Sequence, residues 1–413
     1  MNLYFLKLCW KNIWRNRRRT LITVNAIGLG VMALVFLRNY YDSFHEQVIH
    51  NIIRYHSGHL AVAIKNFEKN SSTQLYLKKS PPIVNWLKTQ ENTRALSERV
   101  IFSGLASSAR GSTNIMVMGI RPSEESKVTD FANKLIQGTF FSEQKDKSIV
   151  LGAKAAETLH AVIGSKIVLL TQGVDGSVGN ELFRVEGIFE TGSDADKSLA
   201  FIDLKEARAI LSISDESSHQ IAIVLKDEEK LNDFRSSFEA LEGKEPNVQM
   251  LSWKELQRPV VAMIELDRAV NRMLMFLILG VAALGIANSI LMSIMERTKE
   301  FGVMLAIGTA KEEVMKMVIT ETLLLTGVGV LLGNLFGVLV TTFFNQVGFD
   351  LRWLTSKDFV IQGAVVQTVS YPIVRFSNSL VVTTVIVILA LAVSYFPARQ
   401  AGRLTPIKAL RSH

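Results

Sequence analysis

"MLMFLILGVAALGIANSILMSIM", residues 273–295, runs for 23 residues without a charged side chain. A helix crossing a bilayer core about 30 Å thick needs ~20 such residues, because it rises about 1.5 Å per residue. The stretch therefore predicts a membrane span. Working outward, the pattern recurs at 322–344, "TLLLTGVGVLLGNLFGVLVTTFF", and at 376–396, "FSNSLVVTTVIVILALAVSYF". A shorter block, Leu21–Leu37 "LITVNAIGLGVMALVFL", has 17 residues. No small-x-small cleavage site precedes the polar sequence at Arg38, so it reads as a retained span and not a signal peptide. The 48% hydrophobic content of the 413 residues is concentrated in these four blocks, and a membrane protein with four transmembrane α-helices follows.

The net charge of +8 invites a nucleic-acid reading, but the basic residues collect beside the apolar blocks, where they more simply set orientation. Residues 1–20 hold six Lys/Arg and no acid, the tail 397–413 holds four and no acid, and 295–317 holds four. By the positive-inside rule all three lie in the cytoplasm, with both termini inside. The single cysteine, Cys9, excludes an internal disulfide, and Lys7 just before it argues against a lipid attachment site.

The expected organisation is an interfacial elbow helix over 1–19, a first span over 20–41 and an extracytoplasmic mixed α+β domain in two lobes over 42–268. A stalk and second span follow over 269–295, a cytoplasmic segment over 296–317 and a third span over 318–344. A short outer loop over 345–375, a fourth span over 376–396 and a cytoplasmic tail over 397–413 complete the chain. Within the outer domain, 58–64, 114–120, 166–172, 182–190 and 220–226 are rich in β-branched residues and bounded by turn formers, which predicts strands. Residues 152–164, 204–213 and 228–243 carry helical periodicity. "WKELQRPVVAMIELDRAVNRM" (253–273) has no strong breaker after Pro259, so the second span is expected to project outward as a stalk.

No G-x-x-x-x-G-K-[ST] loop occurs, and the nearest fragment, "EGKEP" at 242–246, lacks both the first glycine and the hydroxyl. Nucleotide use then falls to another chain. Nucleophile elbows of the G-x-S-x-G kind are absent, which disfavours catalysis. Four of the seven histidines, His45, His50, His56 and His59, fall close together, but no nearby cysteine joins them and the metal reading is weak. Gly329, Gly333 and Gly337 recur every four residues in the third span, which suits close helix packing either within the chain or across a dimer. Asn288 and Asn334, polar at mid-span depth, are expected to face other helices.

The segment after the opening stretch, "ERTKEFGVMLAIGTAKEEVMKM", is unusually structured for a link between spans. Glu296, Lys299 and Glu300 begin a charged helical turn, Phe301, Met304 and Leu305 form an apolar face, and Gly308 permits a sharp reversal. Thr309 with Glu312 reads as a capping box for the next helix. An apolar ridge rimmed by charge suits docking into a groove on a cytoplasmic partner.

These residues resemble the MacB/FtsX superfamily of ABC-transporter permeases, whose cytoplasmic loop reads E-R-x-x-E-(I/F)-G-x-x-x-A-(I/L)-G. Here Glu296, Arg297, Glu300, Phe301, Gly302, Ala306, Ile307 and Gly308 carry it, with Lys299, Met304, Leu305 and Lys311 in the same segment. "FPARQAGRLTPIKALR" (396–411) is similar to the family's closing motif through Pro397, Ala398, Ala401, Pro406, Ala409, Leu410 and Arg411, with Arg399 among them. "KNIWRNRRRTLITVNAIGLGV" (11–31) is similar to its elbow and first span. "VMGIRPSEE" (117–125), "IVLGAKAAETLHAVIGSKIVLLT" (149–171) and "FRVEGIFETGSDADKSLAFIDLKEARAIL" (183–211) look like the lipoprotein-releasing branch. The branch's apolar carrier-hooking loop is matched by "TQGVDGSVGN" (171–180), which is short, Gly-rich and nearly devoid of apolar side chains.

The resemblance implies a permease in the bacterial inner membrane without its own ATPase. Its partners would be a cytoplasmic ABC ATPase dimer that binds ATP and Mg, a second permease copy or paralogue, membrane lipid, lipoprotein cargo and a periplasmic carrier or adaptor. In that reading 296–313 is the mechanical link, with Phe301, Met304 and Leu305 filling the ATPase groove and Glu296, Arg297 and Glu300 setting its register. The implied activity is extraction of lipoproteins or other amphiphiles. The alternatives are efflux of small molecules or peptides, and mechanotransmission to an extracytoplasmic enzyme.

Overall fold

The structure, a computed structural model, describes residues 3–54, 58–68, 72–141, 147–192, 195–243, 245–350, 360–361, 364–365 and 369–403. His56, Arg352, Lys357, Pro406, Ala409, Leu410 and Arg411 lie outside the described residues.

In chain order the elements begin with α1 (Leu3–Arg15), α2 (Arg17–Ile52), β1 (Leu60–Ile64), α3 (Pro81–Thr89), β2 (Thr93–Ser107), β3 (Ser112–Ile120) and α4 (Pro122–Val128). Next come β4 (Leu135–Gly138), β5 (Ser148–Gly152), α5 (Ala153–Thr158), β6 (Lys166–Gln172), β7 (Val178–Phe189), α6 (Ala195–Ser198), β8 (Leu199–Asp203) and α7 (Leu204–Ile210). β9 (Gln220–Leu225), α8 (Leu231–Glu239), β10 (Val248–Ser252), α9 (Trp253–Leu256), α10 (Arg258–Glu296) and α11 (Thr298–Ala306) follow. The chain closes with α12 (Lys311–Val347), the short strands β11 (Phe349–Asp350), β12 (Val360–Ile361), β13 (Ala364–Val365) and β14 (Val369–Ser370), and α13 (Phe376–Gly402). Among the described residues two compact units result, one within 3–45, 265–350 and 369–403, the other within 46–264 with 360–361 and 364–365.

In the helical unit, α2, α10, α12 and α13 are each long and apolar enough to cross a membrane. α10 continues for 39 residues through the proposed stalk, about 58 Å at 1.5 Å per residue. Gly329, Gly333 and Gly337 lie against α2. A Cβ at Gly333 would come within 2.6 Å of Val31 Cβ, and one at Gly329 within 2.7 Å of Ile27 Cγ2. Small residues here let two backbones approach where lipid supplies no hydrophobic force between helices, so the stripe packs within the chain. Asn334 Nδ2 donates to Thr383 Oγ1 at 2.9 Å and so faces α13. Asn288 corrects the expectation made for it: it is exposed on α10, on the same side as Leu277 and Leu284, which are 60% and 73% exposed.

The mixed unit is built on a ten-stranded sheet ordered β10-β1-β9-β2-β3-β8-β5-β7-β4, with β6 pairing both β2 and β7. β3–β8 and β5–β7 are parallel and the remaining pairs antiparallel. β2, 15 residues long, joins two cores. Its Leu96 packs with Leu60, Ile83 and Phe238, and its Val100, Phe102 and Ala106 pack with Ile115, Leu151 and Phe183. The strands predicted from sequence match β1, β3, β6, β7 and β9, and leave out β4, β5, β8 and β10 together with the long β2. The reason is physical: Glu98 and Arg99 break the apolar pattern of that strand, yet both are buried, at 4% and 1% exposure. Arg99 makes a two-pronged bond to Glu125, Nε to Oε2 at 3.1 Å and Nη2 to Oε1 at 2.7 Å, and Glu98 meets Arg121 and Arg208. Charge buried in pairs looks like surface when read along a strand.

Candidate functional site

α11 is the short helix between α10 and α12. Its C-terminus is a Schellman arrangement: Gly308 N–H donates to Leu305 O at 3.3 Å and Thr309 N–H to Met304 O at 3.0 Å. Gly308 takes φ of +99°, a conformation that side chains resist, so the reversal expected at this glycine is built as read. The capping box is not. Ala310 occupies the N-cap position of α12 with no side-chain cap bond, and the Thr309 backbone instead closes α11.

The apolar face of α11 corrects the second expectation. Phe301 is 1% exposed and belongs to the core of the helical unit with Val314, Met317 and Val318 from α12. Gly302 is buried, and Met304 and Leu305 are half-buried against the same core. Phe301 therefore anchors α11 to the bundle and is not offered to a partner. The exposed stripe is the opposite one: Lys299, Val303, Ala306 and Ile307, spaced i, i+4, i+7 and i+8, with Val303 47% and Ile307 78% exposed. Lys311 is also exposed, at the start of α12.

Arg297 sits at the break between α10 and α11, 6% exposed. Its Nη1 reaches both oxygens of Glu321 on α12, at 2.9 and 3.0 Å, and its Nε reaches Glu300 at 2.9 Å. Its guanidinium lies 5.2 Å from the Phe301 ring centroid. The elbow helix α1 joins the same network, since Asn12 Nδ2 donates to Glu321 at 2.9 Å and Arg15 pairs with Glu300 at 2.6 Å. Arg19 at the start of α2 holds Glu296 at 2.6 Å. Burial opposes ionisation of Glu300, but its bonds to Arg297 and Arg15 outweigh that and hold its carboxyl below the usual range. Beside them Cys9 is fully buried, and burial with the Glu321 charge pushes its thiol up to about 11, which makes it inert at neutral pH. The charged residues read as register-setting for a partner thus tie α11 to α1, α2 and α12.

Glu321 escaped the sequence reading. The signal was there: it falls on the stripe of Val314, Met317 and Val318, at i+7 from Val314, so the periodicity that turns those residues inward turns the acid inward too. Of the tail motif, Pro397 and Ala398 are buried in α13 and Arg399 is exposed. A Cβ at Gly402 would lie 2.9 Å from Lys311 O, so the last turn of α13 closes on the first turn of α12. Among the described residues no group of three or more His, Cys, Asp or Glu side chains could hold a metal ion. β6 and β7 are joined by a tight turn, Gly173 N–H to Ser177 O at 2.8 Å, with Val178 76% exposed.

Four helices long and apolar enough to cross a membrane, a large mixed domain between the first and second, and a short helix clamped between the second and third make a multi-pass membrane protein. Residues 20–241 match the MacB-like periplasmic core domain, and residues 272–406 match the FtsX-like permease C-terminal domain. The chain belongs to this MacB/FtsX family of ABC-transporter permeases and is a multi-pass protein of the inner membrane. It is 24% identical over 412 residues to the lipoprotein-releasing system transmembrane protein LolC of Neisseria meningitidis serogroup B, covering 95% of this chain and 94% of that one. It is 22% identical to the LolE protein of the same system in Haemophilus influenzae, covering 81% and 82%. The pyoverdine export ATP-binding/permease protein PvdT of Pseudomonas putida is 24% identical over 98% of this chain but only 59% of its own length. Among solved structures, the periplasmic region of MacB from Actinobacillus actinomycetemcomitans aligns with a TM-score of 0.38 at 15% identity, over 52% of this chain and 97% of that one.

Proposed function

We propose that this chain is the permease subunit of an ATP-driven transporter that extracts lipoproteins or other amphiphiles from the outer leaflet of the inner membrane. A separate cytoplasmic ATPase pair binds ATP and Mg, and a second permease, identical or paralogous, completes the transporter. Both termini and α11 lie in the cytoplasm, by the basic clusters at 1–20, 295–317 and 397–413. The cargo assignment is supported by relatives that match over 94% and 82% of their length and are lipoprotein-releasing proteins by name. An energy source is required, since moving a ~16-carbon chain into water costs roughly 12 kcal/mol at ~0.8 kcal/mol per methylene.

The observation that carries the coupling role is the two-sidedness of α11. One face is locked into the bundle by Phe301 and the Arg297 network, while Val303, Ala306 and Ile307 stand unburied on the other. A partner pressing on that stripe moves α10, α12 and α1 together. Burying a side chain such as Ile307 gives ~1.5–3 kcal/mol, so Val303→Asp with Ile307→Asp should remove several kcal/mol of association. The test purifies both permeases from native membranes at equal expression and measures the co-purifying ATPase, identified by its phosphate-binding loop, together with its ATP hydrolysis. Loss of both from the double variant supports the reading. Retention of both at wild-type levels shows that the stripe does not dock the ATPase.

A further inference from the structure

We propose that a cavity in the mixed unit binds a phosphate-bearing anion. The cavity, about 270 Å³, lies where the end of α2, the start of β2, the end of α4 and the end of β9 meet. That volume is at the small end for ligand sites and suits a phosphate carrying a short organic substituent. Its walls hold Arg54, Arg94, Lys127 and Lys226 against two carboxylates, Asp130 and Glu228.

Both carboxylates are already engaged. Arg54 Nη1 pairs with Asp130 at 2.6 Å, and His59 Nε2 lies 2.6 Å from Glu228. His59 Nδ1 accepts the Leu225 N–H at 2.9 Å, so Nε2 carries the proton and donates it to Glu228. Arg94, Lys127 and Lys226 have no carboxylate within ion-pair distance among the described residues.

Their placement is fixed by backbone. Arg94 is the extra residue of a β-bulge, since Thr93 pairs with Leu225 and Ala95 with Val224 across the β2–β9 ladder. A bulge leaves one residue out of the ladder and re-aims its side chain, here into the cavity wall. Lys226 N–H donates to Asn92 O at 2.9 Å, and the Asn92 side chain bonds the Asp227 backbone in both directions at 3.0 Å. Val128 and Val224 line the cavity and belong to a buried apolar cluster with Ala95 and Ala222. The four cations of the walls face two carboxylates, and neutral His59 leaves Glu228 its charge, so the concavity carries an excess of two positive charges and makes a receptor for an anion of more than one charge; the Arg94 guanidinium matches the paired oxygens of a phosphate.

The test uses the full chain in detergent, titrated calorimetrically at constant ionic strength with inorganic phosphate in one arm and dihexanoyl phosphatidic acid below its micelle concentration in the other. Saturable binding of inorganic phosphate supports a site for the free ion. Saturation by the phospholipid alone supports a site for a lipid headgroup. In either case Arg94→Ala with Lys127→Ala should weaken binding at least tenfold, whereas Lys166→Ala, an exposed lysine on β6 away from the cavity, should not change it. Lys127→Gln alone, on an exposed helix end, guards against a folding defect in the double variant and should weaken binding several-fold. No saturable heat from either probe, or equal affinity in wild type and the cavity variants, overturns the proposal.

Discussion

Arg99 with Glu125 in the mixed unit and Arg297 with Glu321 in the helical unit are made from the same chemistry, a guanidinium laid across a carboxylate with two short bonds. They differ in what they join. Arg99 is on β2 and Glu125 on α4, which contacts that strand directly, and both side chains are 1% exposed. Arg297 gathers two acids, Glu300 and Glu321, and through them α1, α11 and α12, with Glu300 still 42% exposed. The first pair specifies a single packing arrangement. The second holds three helices in register through shared partners, an arrangement that suits the joint proposed for α11.

Breaking the sealed pair should have the largest effect. Arg99→Met leaves Glu125 as a lone buried charge, and such losses cost about 3–5 kcal/mol. Urea unfolding of the full chain, followed by tryptophan fluorescence, should show this as a lowered midpoint. Adding Glu125→Leu should recover most of the loss; failure to recover would assign the effect to packing and not charge.

Acid should separate the two regions next. His219 is buried beside β2, its backbone N–H donating to Arg99 O at 2.9 Å, its ring Nδ1 accepting from Ile101 N–H at 3.3 Å and its Nε2 3.1 Å from Thr73 O; burial, only partly offset by the Thr73 bond, depresses its pKa to about 4. A histidine with a lowered folded pKa contributes its full stability above about pH 6.5 and loses it as pH falls toward 4. The loss is on the order of 3 kcal/mol at about 1.36 kcal/mol per pH unit. His219→Phe should flatten stability between pH 6.5 and 4, measured by denaturant midpoints, and an unchanged slope refutes the assignment.

Glu321→Gln should be milder than Arg99→Met, about 1–2 kcal/mol, because Arg297 keeps Glu300 and the amide still accepts a bond. Its signature should be functional: ATPase association retained, with cargo-stimulated hydrolysis reduced. Equal destabilisation by the two substitutions would erase the distinction between joint and seal. Smallest is Arg15→Ala, which removes a pair 56% and 42% exposed and should cost less than about 1 kcal/mol in melting experiments.

How much of this was legible in sequence follows from where apolar and charged residues compete. The spans stood out because lipid demands an unbroken apolar run. β2 did not, because its buried Glu98 and Arg99 are compensated by Glu125, Arg121 and Arg208, all distant in sequence. The amphipathicity of α11 was correctly read but its direction was inverted: from sequence, a ridge of Phe301, Met304 and Leu305 fits a partner groove as well as it fits the chain's own core. Only Glu321 and the core of Val314 and Met317 decide between them, and both are contributed by the next helix. Gly308 could be read because its conformation is local. Thr309 misled because a capping motif is local too, and the Schellman closure of the preceding helix used its backbone first.

The burial of Phe301 separates two tasks that a single apolar ridge would have fused. Because the anchoring residues and the exposed Val303, Ala306 and Ile307 occupy opposite sides of α11, the outward stripe is free to diverge without disturbing the fold. Under the proposed coupling role, partner choice is set by three or four surface positions and can be changed by grafting them, while the buried face that ties α11 to the bundle stays as it is.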